Sequence, residues 1–229
     1  MILSKGSKGP GVLALTEGLL ELGYIPKTSV IYDMIVESAV KLFQIDEELT
    51  IDGIAGPATL QRLELRIGQR IKLLVVHHSA TPRTTTVDQI RDYHVNHNGW
   101  RDIAYHYVLR QPTNESPVQI APARKQDGDA YIEPGEEGAH VYGYVNYSSL
   151  GICCVGNFDE EEVPKRMYDT LVQLLTSFLI ALRLDENAVE GHREVPDQNT
   201  ACPGSQFDLT QLRADVRSAL VEAGRGAIT

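Results

Sequence analysis

Hydrophobic positions in the first 67 residues recur at helical spacing. Val12, Leu15, Leu19 and Leu22 follow a Gly9-Pro10-Gly11 turn and stop at Gly23, which predicts a first helix. Asp33, whose carboxylate can accept the free amides of a first turn, precedes Val36, Ala39, Val40 and Phe43 and predicts a second. Gly56-Pro57 opens a third through Leu60, Leu63 and Ile67, with proline at a first-turn position where its missing N–H costs nothing. Between the last two, Leu49 to Pro57 is turn chemistry with apolar anchors. Three short helices at this length form a small but feasible core.

From Arg70 the period changes. Ile71 to Val76 is an apolar, β-branched run that predicts a strand delivering His77 at its end. Thr84 to Thr86 can cap a helix through Val87, Ile90 and Tyr93, ending near Asn98-Gly99. Ile103–Leu109, Val118–Ala121 and Leu150–Val155 predict three further strands. Val163-Pro164 opens the longest helix, with Met167, Leu171, Leu174, Leu175, Phe178 and Leu182 on one face. Leu209, Leu212, Val216 and Leu220 mark a last helix, stopped at Gly224. The alternation predicts an α/β domain over residues 71–229, a mixed central β-sheet flanked by helices. A small all-α three-helix domain over residues 1–66 precedes it.

No apolar run reaches the roughly 18 residues that span a bilayer, so membrane insertion is not expected. The first eight residues lack the basic-then-apolar order of a signal peptide. A net charge of −10 argues against nucleic-acid partners, because phosphate binding needs clustered Lys and Arg. Of the three cysteines, Cys153 and Cys154 lie in an apolar run and read as core. Cys202 sits in a polar loop beside Pro203 and Gly204, where a ligand or nucleophile is the better reading. His77, His192 and Cys202 together offer two imidazoles and a thiolate. Zinc accepts that set in tetrahedral geometry, with the fourth position open to water.

The first segment resembles the type 1 peptidoglycan-binding domain. The matching residues are Leu3, Gly6–Pro10, Leu22–Tyr24, Ala39–Gln44 and Asp52-Gly-Ile-Ala-Gly-Pro57. The resemblance implies wall anchoring. Residues 71 to 217 resemble the zinc-dependent type 2 N-acetylmuramoyl-L-alanine amidases, which include the T7-type phage lysozymes and relate to peptidoglycan recognition proteins. The carriers are Val76–Thr81, Gly99–Tyr107, Gly138–Tyr144, Ser149–Cys153, Val155–Phe158 and Gly191-His192 with Ala201-Cys-Pro-Gly204. Carried over, the resemblance makes His77 rather than His78 the first zinc ligand, and strand alternation agrees that only one of the pair enters the site.

The resemblance further implies that Tyr105 lies near the metal and donates a hydrogen bond to water or oxyanion, and that Thr200 assists there without a lysine's charge. His140, in a motif lining the substrate groove, and His78 are expected as substrate contacts. The implied reaction is zinc-assisted hydrolysis of the bond between N-acetylmuramic acid and L-alanine in peptidoglycan. The implied setting is a monomeric endolysin, held in the host bacterial cytoplasm until release to the wall. The alternative is a recognition protein that binds peptidoglycan without cutting it.

Overall fold

A computed structural model of the chain describes residues 1–224. It divides into two compact units, Met1–Arg70 and the remainder from Ile71.

In the first unit, three helices α1 (Pro10–Glu21), α2 (Met34–Asp46) and α3 (Pro57–Gln69) enclose Val12, Leu15, Leu19, Val36, Val40 and Phe43. Prolines open α1 and α3, and the Asp33 carboxylate accepts from the Ile35 and Val36 amides at the start of α2. The Asp52–Pro57 turn is built around one buried amide. Gln44 accepts from the Gly53 N–H at 2.9 Å, and its Nε2 faces Asp52 Oδ1, the Ile54 carbonyl and Thr59 Oγ1. A buried side-chain amide is costly unless its donors and acceptor are all met, and this turn meets them.

The second unit is a mixed five-stranded sheet in the order β3-β2-β4-β1-β5. Its strands are β1 (Leu73–His78), β2 (Tyr107–Arg110), β3 (Gln119–Pro122), β4 (Ser149–Cys154) and β5 (Val189–Gly191). β1 pairs in parallel with β4 and β5, β2 in parallel with β4, and β3 closes the edge antiparallel to β2. Two long helices, α5 (Lys165–Leu182) and α6 (Leu209–Glu222), supply the main apolar cover; the short α4 (Val87–Asp92) lies earlier in the chain. On α5, Met167, Leu171, Leu175, Leu179 and Leu182 form the buried stripe. The helix ends with Arg183 left-handed at φ 58, and the Leu184 and Arg183 amides return to the Leu179 and Ile180 carbonyls.

Strand alternation decides what each sheet face carries. Leu74, Val76, Leu150, Ile152 and Cys154 join the core under α5 and α6. The residues between them, Val75, His77, Gly151 and Cys153, therefore face the other way. β1 pairs His77 with Cys153, at the carboxyl ends of parallel strands where an open α/β sheet presents its ligand site.

Two expectations need correction. Residues 103–106 are not strand, and only Tyr107–Arg110 of the expected 103–109 pairs in the sheet. The segment is held by other means: Ala104 N–H donates to His94 Nδ1, His106 N–H to the Gly151 carbonyl, and Ala123 N–H to the His106 carbonyl. The helix begun at Val87 continues not as α-helix but as a π-helical turn, Tyr93–His97. β5 had no counterpart among the predicted strands. No described helix is long and apolar enough to cross a membrane.

Candidate metal centre

Three elements converge on one point. β1 delivers His77 at its end, β5 runs into His192 at the start of a short 3-10 turn, and the loop before α6 brings Cys202. The ligand atoms of these three residues all lie within 4.8 Å of one another, and among the described residues no other His, Cys or carboxylate joins them. His77 Nδ1 lies 3.6 Å from Cys202 Sγ, and the His77 and His192 ring centres are 4.6 Å apart. Two nitrogens and one sulfur at such separations suit a tetrahedral zinc, whose bonds are about 2.0–2.3 Å long.

The electrostatics suit a cation as well. Burial, then the neighbouring histidines, hold the His77 ring well below its ordinary pKa, and burial lowers that of His192 against the opposing effect of its hydrogen bond to Gln198. Both rings are therefore neutral at pH 7, each with a lone pair to give. Burial pushes the Cys202 thiol up to about 12, against the opposing pull of the His78 backbone and Arg193. A metal bound there must displace that proton, as thiolate ligation requires.

The loop carrying Cys202 is pinned from both sides. Arg193 N–H donates to the Cys202 carbonyl at 2.8 Å, and the Arg193 guanidinium reaches the Ala201, Gly204 and Phe207 carbonyls. Gly204, at φ 109, approaches the Phe158 backbone so closely that a Cβ would lie 2.4 Å from the Phe158 carbonyl carbon. Only glycine satisfies both the angle and the approach.

Tyr105 is half-buried, its ring centre 5.2 Å from that of His77, and it lines a cavity of about 530 Å³. Ser79, Thr81, Gln89, Tyr93 and His94 form other parts of the same wall. Burial, followed by the Cys153 and Cys202 thiols, raises the Tyr105 phenol well above its usual pKa, so it stays a donor. Thr200 is close to Cys202, its Oγ1 accepting from the Cys202 N–H at 3.1 Å.

His78 and His140, expected as substrate contacts, are both buried. His78 turns to the opposite sheet face, where Nδ1 accepts from the Phe158 N–H at 3.1 Å and Nε2 lies 4.0 Å from Asp159. Neither is His78 part of the three-donor group. His140 is 4% exposed, and its Nδ1 lies 3.1 Å from His77 Nε2. Buried among His77, His106 and Ser149, it has little surface to offer a ligand. Glu194, one of the acids near the ligand loop, is taken up by Arg213 and the Gly191 amide.

Trp100, 39% exposed, stacks on the His94 ring at 4.9 Å, and His97 stacks on Tyr93. Sequence reasoning did not single out Arg193, Gln198 or Ser149. Gln198 Oε1 lies 3.1 Å from His192 Nε2, and Ser149 Oγ 3.3 Å from His140 Nε2. Nothing in composition or period marks such residues, because each is a polar side chain whose role is set by a hydrogen bond and not by a place in an apolar stripe.

Comparison with known proteins agrees with this architecture. The family profile described as N-acetylmuramoyl-L-alanine amidase matches residues 67–205, and a putative peptidoglycan binding domain matches residues 8–63. Peptidoglycan recognition protein 1 from Mus musculus is 28% identical over 152 residues, 62% of this chain and 74% of that protein. An N-acetylmuramoyl-L-alanine amidase from Homo sapiens is 27% identical over 163 residues, 64% of this chain but only 24% of the human one. Among solved structures, the N-acetylmuramoyl-L-alanine amidase LysC from Clostridium intestinale URNW aligns with TM-score 0.53 and 25% identity, covering 65% of this chain and 87% of LysC. The first profile spans more than half of the sequence and contains His77, His192 and Cys202. The chain belongs to the N-acetylmuramoyl-L-alanine amidase family, with a peptidoglycan-binding type of helical domain ahead of the amidase fold.

Proposed function

We propose that this protein cleaves the amide between the lactyl group of N-acetylmuramic acid and L-alanine in peptidoglycan, with zinc on His77, His192 and Cys202. The observation that carries the reading is the meeting of those three donors next to a Tyr105-lined cavity. Zinc in such a set supplies Lewis acidity, polarising a carbonyl and acidifying water.

The chain's own groups do the rest. The Tyr105 phenol, held protonated, donates to the attacking water or to the oxygen that becomes negative in the transition state. The Thr200 hydroxyl accepts from the Cys202 amide and keeps its own proton for the same oxygen. As a neutral donor it contributes less than an ammonium in that place. Ser79, Thr81 and Gln89 offer polar groups along the cavity for a peptide backbone. The first unit holds the enzyme on the wall, a role supported by its match to the peptidoglycan-binding profile. An endolysin role, with release from the host bacterial cytoplasm, is the setting we propose. Likeness to LysCS, named an endolysine amidase, supports it at TM-score 0.53.

A second reading, binding without cleavage, draws on relatives named peptidoglycan recognition proteins. The complete donor set favours cleavage. Incubation of the protein with peptidoglycan sacculi, with and without chelator, decides between them by mass spectrometry of what is released. Stem peptides beginning at L-alanine, abolished by chelation and restored by zinc, are expected. Tight binding to sacculi with zinc present and no released peptide would make it a recognition protein.

A further inference from the structure

Each histidine of the donor set presents its second ring nitrogen to a partner whose own hydrogen bonds leave that partner a single role. Ser149 has one proton, and its hydroxyl donates to the Val145 carbonyl at 2.6 Å. A carbonyl can only accept, so the Ser149 oxygen must accept from His140 Nε2, 3.3 Å away. His140 then carries its proton on Nε2, and in the neutral ring Nδ1 is bare. The His77 Nε2 that faces it at 3.1 Å must be the donor. This leaves the lone pair of His77 on Nδ1, the atom nearest Cys202 Sγ.

The second chain of bonds is independent. Gln198 Nε2 donates to the Tyr142 and Pro196 carbonyls at 3.1 and 3.0 Å, while its Oε1 accepts from the Tyr142 N–H at 2.8 Å. Turning the amide over would set donor against donor and carbonyl against carbonyl. Oε1 therefore faces His192 Nε2 as an acceptor at 3.1 Å, and His192 too keeps its lone pair on Nδ1.

Both chains end on one short segment. His140, Tyr142, Val145 and Ser149 all lie between residues 140 and 149. Asn146 ties that segment to itself: its Oδ1 accepts from the His140 and Val141 amides, and its Nδ2 donates to the Val141 and Gly143 carbonyls. The His140 ring fits a slot that two glycines leave open. A Cβ at Gly138 would lie 2.3 Å from His140 Cδ2, and one at Gly151 would lie 2.5 Å from it.

We infer that segment 140–149 is a positioning device that fixes the tautomers of both histidine ligands, through Ser149 and His140 on one side and Gln198 on the other, so that both offer Nδ1 before any metal arrives. Ser149, His140 and Gln198 are thus positioning residues. The consequence for zinc rests on the proposed function above, but the tautomers themselves do not.

The test uses full-length ¹⁵N-labelled protein stripped of metal, with ring nitrogens assigned by NMR, since a protonated and a bare imidazole nitrogen resonate far apart. His77 and His192 should each show one tautomer, protonated at Nε2. Ser149→Ala should mix the tautomers of His77 and spare His192, and Gln198→Leu should do the reverse. Each should weaken zinc binding, read by competition with a chromogenic chelator, by about 10- to 100-fold. A proton on Nδ1 of either ring in the metal-free native protein overturns the inference, and that measurement needs no variant to fold. Unchanged tautomers and zinc affinity in both variants overturn it equally. Because neither readout involves substrate, a protein that cleaves nothing can still pass, and an active amidase can still fail.

Discussion

Tyr105 reaches the His77 ring and the cavity with the same side chain, so its hydroxyl can be removed without disturbing the donor set. Tyr105→Phe keeps the ring packed and should leave zinc affinity as it was, while kcat on muropeptides falls by about 10²- to 10⁴-fold, the usual worth of a positioned proton donor. Wild-type turnover in Tyr105→Phe would remove the phenol from the chemistry. The meeting of His77, His192 and Cys202 could be expected from sequence because their side-chain types have few other uses together and because the motifs around them are specific. The orientation of those side chains could not. It depends on Ser149, His140, Gln198 and Arg193, whose partners lie up to 63 residues away, as His140 lies from His77. Hydrogen-bonding chemistry fixes the roles only once the distances are known.

At the scale of elements, hydrophobic period located α1, α2, α3, α5 and α6, since each buries one continuous stripe. It failed where burial is achieved without a regular stripe. β5 has three residues, too few for an alternation to register, and yet it feeds His192 into the site. Residues 103–106 are largely buried like a strand, but the Ile103 and Ala104 amides are claimed by the Asp102 and His94 side chains, so they stay out of the ladder. The π-helical turn at Tyr93–His97 has no 3.6-residue signature. β4 gives the sharpest test of how element and site are joined. Gly151 is in the middle of a buried strand, where glycine ordinarily weakens pairing, and His140 occupies the space a side chain would take. Gly151→Ala should therefore destabilise the fold by about 1–3 kcal/mol through overpacking. Urea unfolding should show a lower midpoint at unchanged slope. A neutral result would mean that the His140 ring can yield at little cost.

The two units have separate cores: Val12, Val40 and Phe43 belong to one cluster, and Leu74, Ile152, Leu175 and Val216 to another. Deleting residues 1–66 thus removes no member of the amidase core, and the catalytic unit should remain folded. On that basis the deletion separates targeting from chemistry. A soluble muropeptide diffuses to the site by itself, so its hydrolysis should be nearly unchanged. Sacculi are an insoluble array, on which a second binding module raises the local concentration of enzyme at the substrate. There the loss should be on the order of 10²-fold, the lower range for linking two binding events. Comparing initial rates on both substrates checks this directly. Equal losses on the two would show that the helical unit supports the amidase fold, and the wall-anchoring role would have to be withdrawn even if every residue of the metal centre performed as proposed.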